Sequence, residues 1–240
     1  MSNLFNTRFF QSRISALPAL LSAFLPAFAT RVEAAPAHKA GKATGAGKPE
    51  QSLRFSVVAR FSYRDADSAS PDPEQVVNAK FAVSGRKVRV ESQLAGRPLI
   101  VLVNPPYAYR LLPGSKSGVR YRSTSLPSWS KQIFGSNGLL PDPMALRNAL
   151  LSAGAKRAGS GKVGAVAADI YTATNLRGQK GQIKAWLRHS DALPLRLEVK
   201  SNKLSATASW SNYQRGGALP VALFTVPKDF HLRDGASSGR

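Results

Sequence analysis

The sequence predicts a mainly β (α+β) chain: a strongly curved antiparallel sheet with one helical insertion. Three observations predict it. Alternating apolar and polar residues recur along the chain, and each such run reads as a half-buried strand with a period of two. Turn residues separate successive runs at spacings of roughly 8–12 residues, as in an antiparallel meander. One stretch, 143–153, carries apolar residues at helical spacing instead.

The first run is 53–63. Leu53, Phe55, Val57, Ala59, Phe61 and Tyr63 share one parity, while Arg54, Ser56, Val58, Arg60 and Ser62 take the other. This is long for a strand, where about 5–6 residues is usual, and long strands belong to curved sheets and barrels. Residues 64–74 (RDADSASPDPE) form a loop by their Asp, Ser and Pro content. Val77, Ala79, Phe81 and Val83 then share a parity, Ser84 and Gly85 turn, and Val88 and Val90 alternate with Lys87, Arg89 and Glu91. After a turn at Ala95 and Gly96, residues 98–103 (PLIVLV) are apolar without a break. That strand is buried on both faces or lies beside a covering element. Asn104, Pro105 and Pro106 turn into a run where Tyr107, Tyr109 and Leu111 alternate with Ala108, Arg110 and Leu112. A turn at Pro113 and Gly114 leads to Val119 and Tyr121.

Residues 123–141 break the pattern. Asp142 then stands as an N-cap with Pro143 at the first helical position. Met144, Leu146, Leu150 and Leu151 form an apolar stripe, and Gly154 suits the C-terminus. Such a helix needs a surface to cover, and the sheet supplies one. Residues 156–162 (KRAGSGK) read as a flexible basic loop, and 163–174 open the last group of strands. There Ile183, Ala185 and Leu187 alternate with Lys184, Trp186 and Arg188. A polar break at 189–191 suits a hairpin, and Pro194 stands at a strand start, where a missing N–H is tolerated. Leu195, Leu197 and Val199 alternate with Arg196, Glu198 and Lys200, and Leu204, Ala206, Ala208 and Trp210 make a further strand. Residues 231–240 read as a disordered tail.

Residues 1–29 carry Arg8 and Arg13 followed by an uncharged apolar run, 14–29, ending in Ala27, Phe28 and Ala29. This reads as a secretory signal peptide, with an alternative cleavage after residue 34. The run is short for a bilayer, which needs about 20 residues. Residues 30–52, rich in Ala, Gly, Lys and Pro, form a flexible basic leader. The expectation is an exported protein of the periplasm or cell envelope, soluble after cleavage. The chain has no cysteine, which excludes disulfides and thiol chemistry, and also a lipid anchor on cysteine. The domain of 53–230 must be held by its core alone. Loss of 1–29 removes two of the 34 basic residues and none of the 13 acidic ones, so the mature chain stays strongly basic. Such a balance attracts polyanions or anionic membrane surfaces; equally, the cations, spread along the chain, solvate the outer faces of strands.

No catalytic set emerges. His38, His189 and His231 lack partners at metal-ligand spacing, so no metal site is expected. Ser128 and Lys131 match S-x-x-K, but neither companion motif of that enzyme class is present. The Gly-Lys pairs ending at Lys48 and Lys162 lack the Ser/Thr of a P-loop. Asp65, Asp67, Asp72 and Glu74 share one loop, which is ordinary turn chemistry. Phe55, Phe61, Phe81, Tyr107, Tyr109, Tyr121, Trp186 and Trp210 lie on strands beside cations and could form a stacking platform, though such residues are more often core. With a signal peptide, nucleic acid is not an expected partner. The chain is expected to be no enzyme and to need no cofactor.

Several local patterns carry a resemblance: 85–91 (GRKVRVE), 99–103 (LIVLV), 107–113 (YAYRLLP), 162–164 with 168–171 (KVG and ADIY), 184–186 (KAW), 193–198 (LPLRLE) and 224–227 (FTVP). Together they resemble the outer-membrane lipoprotein-sorting proteins of the LolA/LolB-like half-barrel superfamily, over about 53–230. The resemblance implies an incomplete β-barrel whose apolar concave face is covered by helical structure and holds a lipid or the acyl chain of a lipoprotein. It implies an apolar lining of Phe55, Val57, Phe61, Phe81, Leu146, Leu150, Ile183, Leu187, Leu195, Leu197, Val199 and Trp210. The chain departs from the pattern in its low helix content. The alternative from a different class is a structural cell-envelope protein that binds an anionic polymer through its basic surface, with the concave face filled by its own side chains.

Overall fold

A computed structural model describes residues 52–64, 73–94, 96–122, 145–152, 154–176, 179–202 and 204–235. The expected signal peptide, nearly all of the expected basic leader, the S-x-x-K motif at 128–131, the expected capping residues Asp142 and Pro143, and Met144 lie outside them.

Twelve strands form one curved sheet that does not close. In chain order they are β1 (Ser52–Tyr63), β2 (Gln75–Ser84), β3 (Lys87–Leu94), β4 (Arg97–Asn104), β5 (Tyr107–Leu112), β6 (Ser117–Arg122), β7 (Lys156–Val163), β8 (Val166–Leu176), β9 (Gln179–Arg188), β10 (Pro194–Ser201), β11 (Leu204–Arg215) and β12 (His231–Asp234). Among the described residues one helix, α1 (Ala145–Ser152), stands between β6 and β7. The spatial order is β12-β6-β5-β4-β3-β2-β1-β11-β10-β9-β8-β7. Two meanders, β1 to β6 and β7 to β11, are therefore joined by the pairing of β1 with β11 at the middle of the sheet. The alternation of the sequence predicts the curved antiparallel sheet, and the resemblance implies that it stays an incomplete barrel, as it does.

Register sorts every strand into two faces. Phe55 pairs with Phe81, Phe81 with Val90, and Val90 with Val101, so one parity of the first meander faces the concave side. Val57 pairs with Trp210 and Ala59 with Ala208, which carries the same face into the second meander. There Ala208 pairs with Leu197, Leu197 with Ala185, and Ala185 with Tyr171. Near the end of β11 a bulge sets two residues, Asn212 and Tyr213, against Phe55, with Asn212 at φ 56°. Asn tolerates this left-handed conformation. The extra residue keeps both Trp210 and Tyr213 on the concave side, and bulges of this kind bend a strand.

Among the described residues the opposite, convex face is covered at 219–226. Phe224, with Leu219, Leu223 and Val226, packs on Ala82, Leu102 and Tyr109. Asn104 Nδ2 donates to the Phe224 carbonyl at 3.1 Å, and Arg89 Nη1 donates to the Leu223 carbonyl at 3.1 Å. Residues 219–226 thus strap the back of β2–β5. This is why 98–103 is apolar on both parities: Val101 and Val103 face the concavity, while Leu102, fully buried, meets Phe224.

Two expectations need correction. Residues 156–162 are not a loop but strand β7, hydrogen-bonded to β8 through a bulge between Arg157 and Gly159. Gly159 adopts φ 148°, and Gly161 lies where a side chain would press on Ile170. Glycine is read as flexibility from sequence, but here it lets an edge strand bend and approach its neighbour closely. The tail is also ordered at its start. Residues 231–234 form β12, which runs parallel to β6 and is held by a bidentate pair from Arg120 Nε and Nη2 to Asp234 at 2.7 and 3.1 Å. The described domain therefore extends to 235, and it begins at Ser52, inside the stretch assigned to the leader.

Candidate ligand-binding face

The concave face carries two buried apolar clusters. In the first, Phe61, Tyr171, Ala173, Ile183, Ala185, Leu187, Leu197, Val199 and Ala206 pack with Leu150 of α1, and Leu146 packs alongside. The helix ends as its sequence predicts: Gly154 turns at φ 80°, with its N–H donating to Leu151 and the N–H of Ala155 donating to Leu150. In the second, Phe55, Phe81, Val88, Val90, Leu99, Val101, Val103 and Ala108 pack together, and Phe55 stacks on Phe81 at 4.7 Å between ring centroids. Trp210 touches both clusters.

Between the clusters the face changes character. Val57 and Ala59 of β1, Val77 and Ala79 of β2, and Trp210 of β11 are only half-buried. Three adjacent strands about 4.8 Å apart make this an apolar floor roughly 10 Å wide. Its alanines keep the floor low, while Phe61 and Phe55 stand at its two ends along β1.

Of the lining residues expected from the resemblance, Phe61, Leu150, Ile183, Leu187, Leu197 and Val199 lie in the first cluster, with Leu146 at its edge. Phe55 and Phe81 lie in the second, with Val57 alongside, and Trp210 bridges the two. Leu195 is buried at the bulge that offsets Pro194 from Arg196. Sequence reasoning passed over Ala59, Ala79 and Val77, the residues that form the half-exposed floor. Their parity placed them on this face, but alanine carries little apolar signal. The aromatic residues do not form a single platform. Phe55, Phe61, Phe81 and Trp210 face the concavity. Trp186 faces outward beneath Lys184 at 4.8 Å and Arg196 at 5.4 Å, and Tyr107 faces outward beneath Arg120 at 5.0 Å.

At the β8–β9–β10 end of the concavity, beside α1, lies a cleft of about 240 Å³ lined by Arg147, Asp169, Tyr171, Leu187, His189, Ser190, Asp191 and Ala192. Its carboxylates are engaged. Arg157 Nη2 donates to Asp169 Oδ1 at 2.7 Å, and His189 Nδ1 lies 3.2 Å from the same oxygen. Arg188 forks onto Asp191 at 2.7 and 2.6 Å, the Leu193 N–H donates to Asp191, and Arg215 stands at 3.5 Å. The hydrogen bond from Arg157 holds the Asp169 carboxyl below the usual range, and the one from Arg188 does the same for Asp191. Nearby, burial pushes the Tyr213 phenol far above its usual range, and its hydroxyl donates to the Pro194 carbonyl at 2.6 Å. Among the described residues no cluster of three or more His, Asp or Glu could hold a metal, and no helix is long and apolar enough to cross a membrane.

The fold and face define a half-barrel with an apolar concavity. No protein-family model matches the chain, and no curated protein matches it. Solved structures with a similar fold include an uncharacterized conserved protein from Thermus thermophilus, at 12% identity and TM-score 0.46, covering 76% of this chain and 90% of that one. LprF from Mycobacterium bovis is similar at 12% identity and TM-score 0.41, with the same two coverages, 76% and 90%. A LolA superfamily protein from Nitrosomonas europaea is similar at 12% identity and TM-score 0.34, covering 74% of this chain and 91% of that one. The likeness is one of fold.

Proposed function

We propose that the protein is a non-enzymatic, exported binding protein of the periplasm or cell envelope that holds a lipid or a lipoprotein acyl chain on its concave face. The observation that carries this reading is the half-exposed apolar floor of Val57, Ala59, Val77, Ala79 and Trp210 between two fully packed clusters. A concavity filled as core would bury these side chains; here two alanines, Ala59 and Ala79, leave Val57, Val77 and Trp210 half-exposed around them. A chain laid on the floor loses water from each methylene, a gain of roughly 0.8 kcal/mol per buried CH₂. Among the described side chains of helix α1, Leu150 is the one seated in the cluster that holds Tyr171, Leu187 and Leu197, so displacing the helix would open further apolar wall for a longer ligand. The convex cations, including Lys184, Arg196 and Lys200, face solvent and favour approach to anionic membrane surfaces. Organic extraction of the purified exported protein, followed by mass spectrometry, tests the proposal. Acyl lipid at near-stoichiometric yield is expected. Lipid-free protein that also binds no fluorescent fatty acid would overturn it.

A further inference from the structure

We propose that the cleft beside α1 binds an anionic headgroup, so that the ligand is a negatively charged amphiphile with its chain in the concavity. This inference rests on the chain-holding reading above and adds the chemistry of the ligand's polar end.

The charge at the cleft is unbalanced. Asp169 is paired to Arg157, and Asp191 to Arg188 and Arg215. Both carboxylates are thus already neutralised by three guanidinium groups. Arg147, from the first turn of α1, is a fourth. It is exposed and has no ion-pair partner among the described residues. Arg147 lines the cleft, whereas the other three stand behind its two carboxylates, so the surplus of positive charge reaches the cleft at Arg147, with the His189 ring and the Ser190 hydroxyl among the lining residues.

The floor of the cleft is different. Tyr171 and Leu187 line it, and both are buried members of the cluster that Leu150 covers and that continues to Trp210. Asp169 and Leu187 are direct cross-strand partners, so the step from polar to apolar occurs within one pair of residues. A molecule occupying this place meets the Arg147 guanidinium at one end and hydrocarbon at the other. A free anion would use only the first, and a neutral lipid only the second. An arginine fork is suited to a carboxylate or a phosphate, and hydrogen bonds to charged groups are the stronger kind.

The test uses the full mature chain loaded with a fluorescent fatty acid and displaced by palmitate, lysophosphatidate, 1-hexadecanol, acetate or inorganic phosphate. Palmitate or lysophosphatidate is expected to displace the probe at roughly tenfold lower concentration than hexadecanol, and their ratio separates carboxylate from phosphate recognition. Acetate and phosphate alone should not displace it. Arg147→Ala should remove most of the tenfold preference while leaving hexadecanol unchanged, and Arg147→Lys should keep part of it. Arg147 is exposed and has no ion-pair partner among the described residues, so an unchanged thermal melt is expected and serves as the folding control. Equal competition by palmitate and hexadecanol in the unaltered protein would overturn the headgroup site and leave the chain-holding face intact. Displacement by acetate as effective as that by palmitate would overturn the requirement for an amphiphile. A probe that does not bind at all would remove the chain-holding reading, and this inference with it.

Discussion

The two meanders of this sheet are insulated on opposite faces. On β8–β11 the cover is helix α1, and it lies on the concave side. On β2–β5 a cover is the 219–226 strap, and it lies on the convex side. The difference can be read in the strands themselves. In β10, Leu195, Leu197 and Val199 alternate with the outward Arg196, Glu198 and Lys200, because nothing among the described residues shields the back of that strand. In β4 the parities merge into an apolar run because Leu102 has Phe224 behind it. The strap stiffens the first meander from outside and leaves its inner surface free of that task. The helix sits on the inner surface of the second meander and competes with anything else that would bind there.

Removing the strap's anchor should cost most. Phe224→Ala empties a fully buried site and is expected to lower stability by about 3–5 kcal/mol in urea unfolding. Leu150→Ala acts on the other cover and should cost about 2–3 kcal/mol, with faster amide exchange confined to β8–β10 beneath the helix. The two sites lie on opposite faces of different meanders, so the double variant should be additive to within about 0.5 kcal/mol. Strong coupling between them would break the distinction drawn here.

A smaller effect separates the floor from both covers. Ala59→Leu adds bulk at a half-buried position of the floor, so stability should change by less than about 1.5 kcal/mol while fatty-acid binding falls severalfold. Acid should weaken the second meander through Asp191. The Asp191 carboxyl is held low by Arg188, so its contribution is complete above the unfolded carboxyl pKa of about 4 and is lost as the pH falls through the depressed folded value. A pH series of urea midpoints should show this loss, and Asp191→Asn should flatten it. The least effect belongs to the sheet edge. Arg120→Ala breaks an exposed pair with Asp234 and should leave the urea midpoint nearly unchanged, with β12 exchanging its amides sooner.

Most of the sheet was legible because burial on one face writes a period of two, and a break in that period at 98–103 marked the strap's position before any strap was known. The helix was legible from Leu146, Leu150 and Gly154. Strand β7 was not, since Lys156, Gly159, Gly161 and Lys162 hold no apolar face and the strand exists only through its pairing with β8. Nor was β12, four exposed residues joined to β6 by backbone hydrogen bonds and one ion pair. The candidate site was half legible. Large lining residues announce themselves, whereas a floor is made by what is small, and Ala59 and Ala79 acquire meaning only beside Trp210. The cleft required distant residues, Arg147 on the helix and His189 in a hairpin turn, to meet in space.

The chain has three tryptophans, at 129, 186 and 210, and two of them report the two faces of the sheet. Trp210 faces the concavity, while Trp186 faces outward under Lys184 and Arg196. The most direct measurement is quenching by a brominated fatty acid in two variants that each retain one of these residues. With Trp129→Phe and Trp186→Phe, saturable quenching of Trp210 is expected; with Trp129→Phe and Trp210→Phe, Trp186 should stay bright. Quenching of Trp186 equal to that of Trp210, or no quenching of Trp210, would contradict a ligand held on the concave face.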